Sequence, residues 1–168
     1  MTRIGVISDT HASTHERVFE FLKDCDQIWH AGDIGNLATL QKIAQFKPTI
    51  AVFGNCDDAE VMRHTKKYEF FKCENKTVLM THIGGYPGRY PEHIQQILRE
   101  KKPDIFVAGH SHILKVIYDK KYQLLFLNPG AAGQFGFHKN ITCLRFCIDK
   151  DNISDMQILD IERSNSQL

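Results

Sequence analysis

Residues 3–11 read RIGVISDTH, an apolar run that ends in Asp9, Thr10 and His11. A short apolar run bounded by polar residues is typical of a buried β-strand. Side chains two positions apart in an extended chain share a face, so Asp9 and His11 could hold one metal ion together just past the strand. The segment therefore predicts a strand with a pair of metal ligands at its carboxyl end.

Five further runs of the same kind follow, and each stops at a glycine, an asparagine or a metal-ligand residue. Together the six runs span residues 3–8, 27–31, 49–53, 77–81, 104–108 and 123–127. The ligand residues at their ends are Asp9, His11, Asp33, Asn55, His82, His110 and His112, and the sixth run ends in Asn128-Pro129-Gly130. Because ligands gather at the carboxyl ends of strands in an open α/β sheet, we expect these ends to converge on one site. Two Asp, one Asn and four His side chains there predict a two-metal phosphoesterase.

Helical spacing of apolar residues separates the first strands. Such spacing occurs over residues 18–25, 37–44 and 94–101, and more weakly over 58–67. The β-α-β-α-β order of the first half favours a parallel sheet with right-handed crossovers. In the second half, residues 115–118 with 122–127, and 141–148 with 156–161, predict two antiparallel hairpins. We therefore expect an α/β fold of two packed mixed sheets covered by helices, forming a single domain over residues 1–163 with a frayed tail at 164–168.

Composition and charge narrow the class of protein. A chain of 168 residues fills one hydrophobic core, and 42% hydrophobic with 24% charged residues is ordinary for a soluble globular protein. A net charge of +1 gives no reason to expect long nucleic acid as a partner. The N-terminus lacks a signal-peptide pattern, no apolar run approaches about 18 residues, and the five cysteines form no CxxC pair. We expect a cytoplasmic protein with reduced thiols and no membrane partner, whose oligomeric state is open.

The chemistry expected of such a site is hydrolysis of a small phosphate ester. Two divalent ions about 3.5–4 Å apart can clamp a phosphoryl group and share a bridging hydroxide that attacks it. A carboxylate has two oxygens and can bridge two ions, and Asp33 is the residue predicted to do so. Mixed nitrogen and oxygen donors suit Mn, Fe, Zn or Ni better than Ca, and Mg is poorer with so many imidazoles.

The order of these motifs resembles that of the calcineurin-like metallophosphoesterases. The matching segments are DTH at 9–11, GD at 32–33, GNCD at 54–57, TH at 81–82 and GHSH at 109–112. The match looks closest to the small single-domain phosphodiesterases of bacteria and archaea. The resemblance implies a four-layer α/β/β/α sandwich and two metal ions, usually Mn²⁺. It also implies that Asp9, His11, Asp33 and His112 hold one ion, and that Asp33, Asn55, His82 and His110 hold the other.

One position departs from the wider family. Phosphoprotein phosphatases carry a His after the Asn of the third motif, where it stabilises the transition state or protonates the leaving group. The residue here is Cys56. A thiol is a poor substitute for an imidazolium donor, which puts substrates with demanding alkoxide leaving groups in doubt.

Several assignments have ordinary structural alternatives. Each ligand residue taken alone could be a helix cap or a turn former. Asn55 and His138 could contact the substrate, or His138 could be an exposed loop residue. Asp57 could orient a metal-bound His or stabilise a turn, and Asn128-Pro129-Gly130 could line the site or form a turn. His15, His30, His64 and His93 have no ligand residues grouped around them and are predicted to be structural or exposed.

Two rival functions use the same fold. A phosphomonoesterase or nucleotide phosphatase would keep the same ligands and differ in its pocket walls. A non-catalytic scaffold is the other rival, because a eukaryotic retromer subunit resembles this fold and has lost part of the metal chemistry. The scaffold interpretation requires a damaged ligand set, whereas this sequence keeps all seven positions.

Overall fold

The computed structural model describes residues 1–163, so the tail predicted at 164–168 lies outside the described residues. In chain order the elements are β1 (Thr2–Ile7), α1 (Glu16–Leu22), β2 (Gln27–His30), α2 (Leu37–Phe46), β3 (Thr49–Ala51), α3 (Ala59–His64), β4 (Tyr68–Cys73), β5 (Lys76–Thr81), α4 (Glu92–Lys101), β6 (Ile105–Val107), β7 (Leu114–Asp119), β8 (Leu124–Pro129), β9 (Asn140–Asp149) and β10 (Asn152–Glu162). Within residues 1–163, no helix is both long and apolar enough to cross a membrane.

The strands form two mixed five-stranded sheets, as predicted. The first has the order β10-β9-β1-β2-β3, with β1, β2 and β3 parallel, so the β-α-β-α-β expectation is confirmed. The second has the order β4-β5-β6-β8-β7, with β5, β6 and β8 parallel. Both predicted hairpins are present, β7 with β8 and β9 with β10, and both are antiparallel.

Alternation along the central strands separates the two faces of each sheet. In β1, Ile4 and Val6 join the core between the sheets, whereas Ile7 packs with the outer helices α1 and α2. The same period of two continues in the second sheet, because alternate residues of β6 face either the first sheet or α4. Helices thus cover the outer face of each sheet, which confirms the α/β/β/α sandwich.

The carboxyl ends of the parallel strands from both sheets meet at one edge of the sandwich. Backbone hydrogen bonds join the strand ends, from Asp9 to the Gly32 carbonyl (2.9 Å) and from Gly109 to the His82 carbonyl (2.9 Å). A further bond crosses between the sheets, where the His110 amide donates to the Asp9 carboxylate at 3.1 Å. The convergence expected from the sequence therefore occurs, and it places the ligand motifs side by side.

The sequence pattern does not predict strand β4. The strand pairs antiparallel with β5 and alternates its side chains between core and solvent. Phe71 packs edge to face on Trp29, with ring centroids 5.2 Å apart, while Phe70 is 44% exposed. An edge strand with one solvated face has a weak apolar signal, because only every second residue needs to be apolar.

Phe71 packs in the core and Phe70 faces solvent, so we expect their replacement by alanine to have different effects on stability. We expect Phe71→Ala to lower the free energy of unfolding by about 2–3 kcal/mol, somewhat less than the about 3–5 kcal/mol typical of a fully buried Phe. Phe70→Ala, the matched control on the solvent side of β4, should change it by no more than about 0.5 kcal/mol. Urea denaturation of both variants measures the difference. An equal loss in the two would contradict this placement of β4.

Candidate metal centre

Five of the seven predicted ligands adopt a left-handed backbone conformation. Their φ angles are 53° at Asp9, 45° at His11, 53° at Asp33, 70° at His110 and 58° at His112. Only a few per cent of non-glycine residues have positive φ, although Asp and His tolerate it better than most. Such strain persists where the surrounding structure imposes it, and it clusters at functional sites. The strand ends are therefore bent to bring these side chains inward.

Asp9 lies at the bottom of the site and is fully buried. Its Oδ2 accepts hydrogen bonds from the Ser8 hydroxyl (2.6 Å) and the His110 amide (3.1 Å). Its Oδ1 accepts no hydrogen bond from the described residues, although it is buried. The same oxygen lies 3.1 Å from His112 Nε2 and 3.7 Å from His11 Nε2. One carboxylate oxygen is thus held by the protein and the other is left for a cation.

Asp33 divides its oxygens in the same way. Oδ1 accepts a hydrogen bond from the Cys56 amide at 2.8 Å. Oδ2 lies 3.2 Å from His82 Nε2 and 3.8 Å from His11 Nε2. Gly54 allows this arrangement, because a Cβ at that position would collide with the Asp33 carboxylate. The free oxygen of Asp33 therefore lies near the two imidazoles, His82 and His11, that the family resemblance assigns to different ions.

The donor atoms fall into groups that match the predicted division. Two sets of three donors each lie within 4.8 Å of one another, Asp9 with His11 and His112, and Asp33 with His82 and His110. Cys56 forms a third such set with His11 and Asp33. Asn55 lines the same pocket, and its amide nitrogen donates to Cys56 Sγ at 3.5 Å. The structure thus brings all seven predicted ligands to one site.

The arrangement fits divalent cations. Asp9 Oδ1 and His82 Nε2 are both buried without a hydrogen-bond partner among the described residues, a costly state for polar atoms unless a ligand satisfies them. Two donors that share an ion at about 2.1 Å each lie about 3 Å apart, which is close to the 3.1 Å between Asp9 Oδ1 and His112 Nε2. The oxygen and imidazole donors are those of a transition-metal site.

Charge pairing keeps the two carboxylates ionised. Burial opposes ionisation of Asp9, but the adjacent imidazoles of His11 and His112 outweigh it and lower the pKa of Asp9. Burial likewise opposes ionisation of Asp33, and His82 together with the Cys56 amide lowers its pKa. The Asp9 carboxylate in turn raises the pKa of His11. Burial alone would lower the pKa of His82, but the carboxylates, with Asp33 first, raise it.

His30 supports the site and was predicted only as structural or exposed. It is fully buried, and burial lowers its pKa to about 3, so the ring is neutral. Its Nδ1 accepts from the Gly32 amide (3.1 Å), and its Nε2 lies 2.9 Å from the Thr10 hydroxyl. The ring therefore ties the Asp9 and Asp33 loops together. The sequence signal that could have indicated this supporting role is the position of His30 at the end of β2, just before the Gly32-Asp33 motif.

Two other residues hold loops of the site. Asp57 accepts hydrogen bonds from the amides of Ile34, Gly35 and Gly54, at 3.2, 2.8 and 2.8 Å, and contacts no imidazole in the described hydrogen-bond network. This geometry favours the turn-stabilising alternative over orientation of a metal-bound His. Asn128 is buried and donates to the Gly109 carbonyl at 3.0 Å, so it supports the 109–112 loop.

His138 lies beside His112 and lines the pocket at the ligand residues. Only 8% of the residue is exposed, and Nε2 lies 2.7 Å from the Gly133 carbonyl. Its Nδ1 lies 3.3 Å from Nδ1 of His112. Burial lowers the pKa of His138, which favours the neutral ring. Both ring nitrogens are engaged by the protein, and the ring also lines the pocket above the donors, so contact with phosphate stays a prediction.

An open pocket of about 530 Å³ lies above the donors. Its lining combines ligand residues, Cys56 and His138 with an apolar wall. That apolar wall consists of Ile113 (57% exposed), Phe135 (66%) and the fully exposed Phe137. The donors are therefore accessible to a molecule that also contacts aromatic side chains.

Comparison with known proteins agrees with this geometry. Residues 2–151 match the family model of the calcineurin-like phosphoesterase superfamily domain. The chain belongs to this superfamily. A probable metallophosphoesterase from Methanothermobacter thermautotrophicus is 30% identical over 139 residues, which cover 76% of each chain. The family resemblance stated from the motifs is thereby confirmed.

Solved structures share the same fold. Wild-type Vps29 of Entamoeba histolytica in complex with Zn²⁺ has a TM-score of 0.73 at 17% identity, over 96% of this chain and 99% of that one. A novel archaeal phosphodiesterase has a TM-score of 0.71 at 18% identity, over 94% and 99% of the two chains. At these identities the likeness establishes the calcineurin-like fold.

The pKa directions predict how metal affinity changes with pH. His11 and His82 hold their protons above the usual pKa of 6.5, so an incoming ion must displace them. Affinity for Mn²⁺ should therefore still rise between pH 6.5 and pH 8, by up to about tenfold per pH unit for each proton released. Activity should fall below about pH 6, while the low-pKa carboxylates remain ionised. Calorimetric titrations at pH 6, 7 and 8 measure the trend, and full activity with bound metal at pH 4.5 would contradict it.

Proposed function

We propose that this protein is a phosphodiesterase that uses two divalent metal ions. The observation that carries the proposal is the pair of donor groups that meet at the unpartnered, buried Asp9 Oδ1 and the free Asp33 Oδ2. In this assignment Asp9, His11, Asp33 and His112 hold one ion. Asp33, Asn55, His82 and His110 hold the other. Mn²⁺ is the proposed ion, with Fe, Zn, Ni and Mg as alternatives.

The residues of the chain supply orientation and charge. When bound, the ions would polarise the phosphoryl oxygens and lower the pKa of coordinated water. Ser8 and the His110 amide fix the Asp9 carboxylate, and the Cys56 amide fixes that of Asp33. Ala31 accepts from His82 Nδ1 at 2.7 Å, which leaves His82 Nε2 free to bind an ion. The donors are thus held in place before substrate arrives, so little reorganisation accompanies the reaction.

The pocket walls favour a diester over a monoester. Among the pocket-lining residues of the described chain there is no Lys or Arg to neutralise a dianionic monoester. A diester carries a single negative charge and a second organic group. The wall of Ile113, Phe135 and Phe137 offers that group an apolar and aromatic surface. The similarity in fold to an archaeal phosphodiesterase is consistent with this proposal.

A phosphomonoesterase is the second candidate, and one feature favours it. Lys67 and the exposed His93 line a neighbouring hollow that shares Asn55 and His82 with the metal site. A cation at that position could neutralise the extra charge of a monoester. The scaffold alternative gains support only from the fold of Vps29, while the complete ligand set of this chain supports an enzyme.

A matched pair of substrates tests the proposal. Bis(4-nitrophenyl) phosphate and 4-nitrophenyl phosphate share a leaving group and differ in charge and in the second ester group. We expect a larger kcat/KM for the diester in the presence of Mn²⁺. Asp33→Asn should reduce this activity by more than about 100-fold and lower the metal content, because even supporting residues around a metal cost about 10–100-fold. The exposed Asp24→Asn provides the control.

Two outcomes would contradict the proposal. Faster hydrolysis of the monoester, with loss of that activity in Lys67→Met, would favour the phosphomonoesterase. Unchanged metal stoichiometry in Asp33→Asn would show that Asp33 does not bridge two ions.

The backbone of Cys56, rather than its thiol, serves the proposed site. Its amide holds Asp33 Oδ1, whereas burial and the Asp33 carboxylate raise the pKa of the thiol, which stays protonated at neutral pH. Cys56→Ser keeps the amide, so we expect kcat/KM to change by less than about threefold. Cys56→His should improve hydrolysis of an alkyl diester if the imidazole comes within about 2.6–3.2 Å of the leaving oxygen.

Parallel assays of an aryl and an alkyl diester separate these effects. A loss of more than about 100-fold on both substrates in Cys56→Ser would show that the thiol is catalytic or binds metal. That result would support the group formed by Cys56, His11 and Asp33 as a third ligand set.

A further inference from the structure

An imidazole that binds a metal through one nitrogen must carry its proton on the other, and a hydrogen-bond acceptor for that proton orients the ring. His82 has such an acceptor in the Ala31 carbonyl, at 2.7 Å from Nδ1. His112 has no backbone carbonyl in the equivalent role among the described hydrogen bonds. What faces its Nδ1, at 3.3 Å, is Nδ1 of His138.

The second nitrogen of His138 decides what its first nitrogen can do. A carbonyl oxygen only accepts hydrogen bonds, so Nε2 of His138, 2.7 Å from the Gly133 carbonyl, carries the proton. In the neutral ring Nδ1 then has a lone pair and can accept from His112 Nδ1. With its Nδ1–H hydrogen-bonded to His138, His112 presents the lone pair of Nε2 beside Asp9 Oδ1, at 3.1 Å.

Further contacts hold the loop of His138 against the Asp9–His11–His112 group. The Gly133 amide donates to the Asp9 carbonyl at 3.2 Å, which anchors the 133–138 loop to the residue whose carboxylate faces His112. Gly136, at φ 135°, lies against both rings, and a Cβ there would come within 2.9 Å of His138 Nδ1 and 3.0 Å of His112 Cε1. The two rings are nearly perpendicular, with an interplanar angle of 74° and centroids 5.2 Å apart. The orientation of the His112 and His138 rings and the distance between them are therefore fixed by packing against Gly136 and by their mutual contact.

We infer that His138 is a positioning residue that holds the ring of His112 for the ion of the Asp9–His11–His112 group. Its Nδ1 accepts a hydrogen bond from the Nδ1–H of His112, and its Nε2–H donates to the Gly133 carbonyl. The inference rests on the proposed metal site but not on ester hydrolysis. Its expected magnitude is that of a supporting residue around a metal, about 10–100-fold in affinity for one ion.

Three variants separate orientation from packing. His138→Leu removes the acceptor but keeps an apolar group in place. His138→Asn keeps an acceptor, because the Oδ1 of Asn can stand close to the position of Nδ1 in His. His64→Leu removes an exposed imidazole on α3 as the matched control. Thermal unfolding of each metal-free variant shows whether the fold is retained.

Mn²⁺ calorimetry and NMR of the Zn²⁺-loaded protein provide the readouts. We expect His138→Leu to weaken one of the Mn²⁺ sites by about 10–100-fold and to abolish a slowly exchanging, downfield Nδ1–H signal of His112. His138→Asn should restore most of the affinity and retain a shifted signal. His64→Leu should bind Mn²⁺ as the wild type does.

The outcomes distinguish this inference from the proposed function. Unchanged affinity and an unchanged His112 signal in His138→Leu would overturn it, as would equal losses in His138→Leu and His138→Asn. A wild type that binds no ion would overturn the metal site and the inference together. A wild type that binds ions but hydrolyses neither ester would overturn the hydrolysis alone, and the comparison of binding would still decide the role of His138.

Discussion

The buried Asp9 carboxylate is the constraint on which the site depends. An ionised carboxylate without compensation in a protein interior is strongly unfavourable, yet Asp9 is fully buried and its Oδ1 has no hydrogen-bond partner among residues 1–163. Its pKa is nevertheless lowered, because three imidazoles surround that oxygen. The charge is stable there only beside cations. The rest of the site is arranged to place protons or metal ions around it.

The fold meets this requirement by bending strand ends. Parallel strands from two sheets finish at one edge, and their last residues turn through left-handed backbone conformations at Asp9, Asp33 and His112. Each such residue costs about 1–3 kcal/mol, which the core between the sheets must offset. In both Asp9 and Asp33, one carboxylate oxygen accepts hydrogen bonds from the protein, and the other oxygen faces the imidazoles. Rigid strands and strained ends together hold the donors at metal-binding distances.

Much of this arrangement was predictable because it is local in sequence. Apolar runs that end in ligand residues predicted the strands, the two sheets and seven residues that the structure brings together. Strand β4 was not predictable in this way, since its solvent-facing residues dilute the apolar signal. The roles of His30, Asp57 and His138 were also missed or left open. Their partners are loop backbones and rings whose positions follow from how the strand ends meet.

The sequence by itself determined the superfamily, the order of the elements other than β4 and the chemical types of the ligands, because motif order and periodicity are properties of short segments. Only the tertiary structure decided which oxygen of Asp33 is free, why Cys56 contributes its amide, and that His138 lies against His112. Those facts depend on contacts between residues 23 and 26 positions apart. Hydrogen-bond direction and burial at such separations arise when the two sheets pack, so no local pattern can specify them.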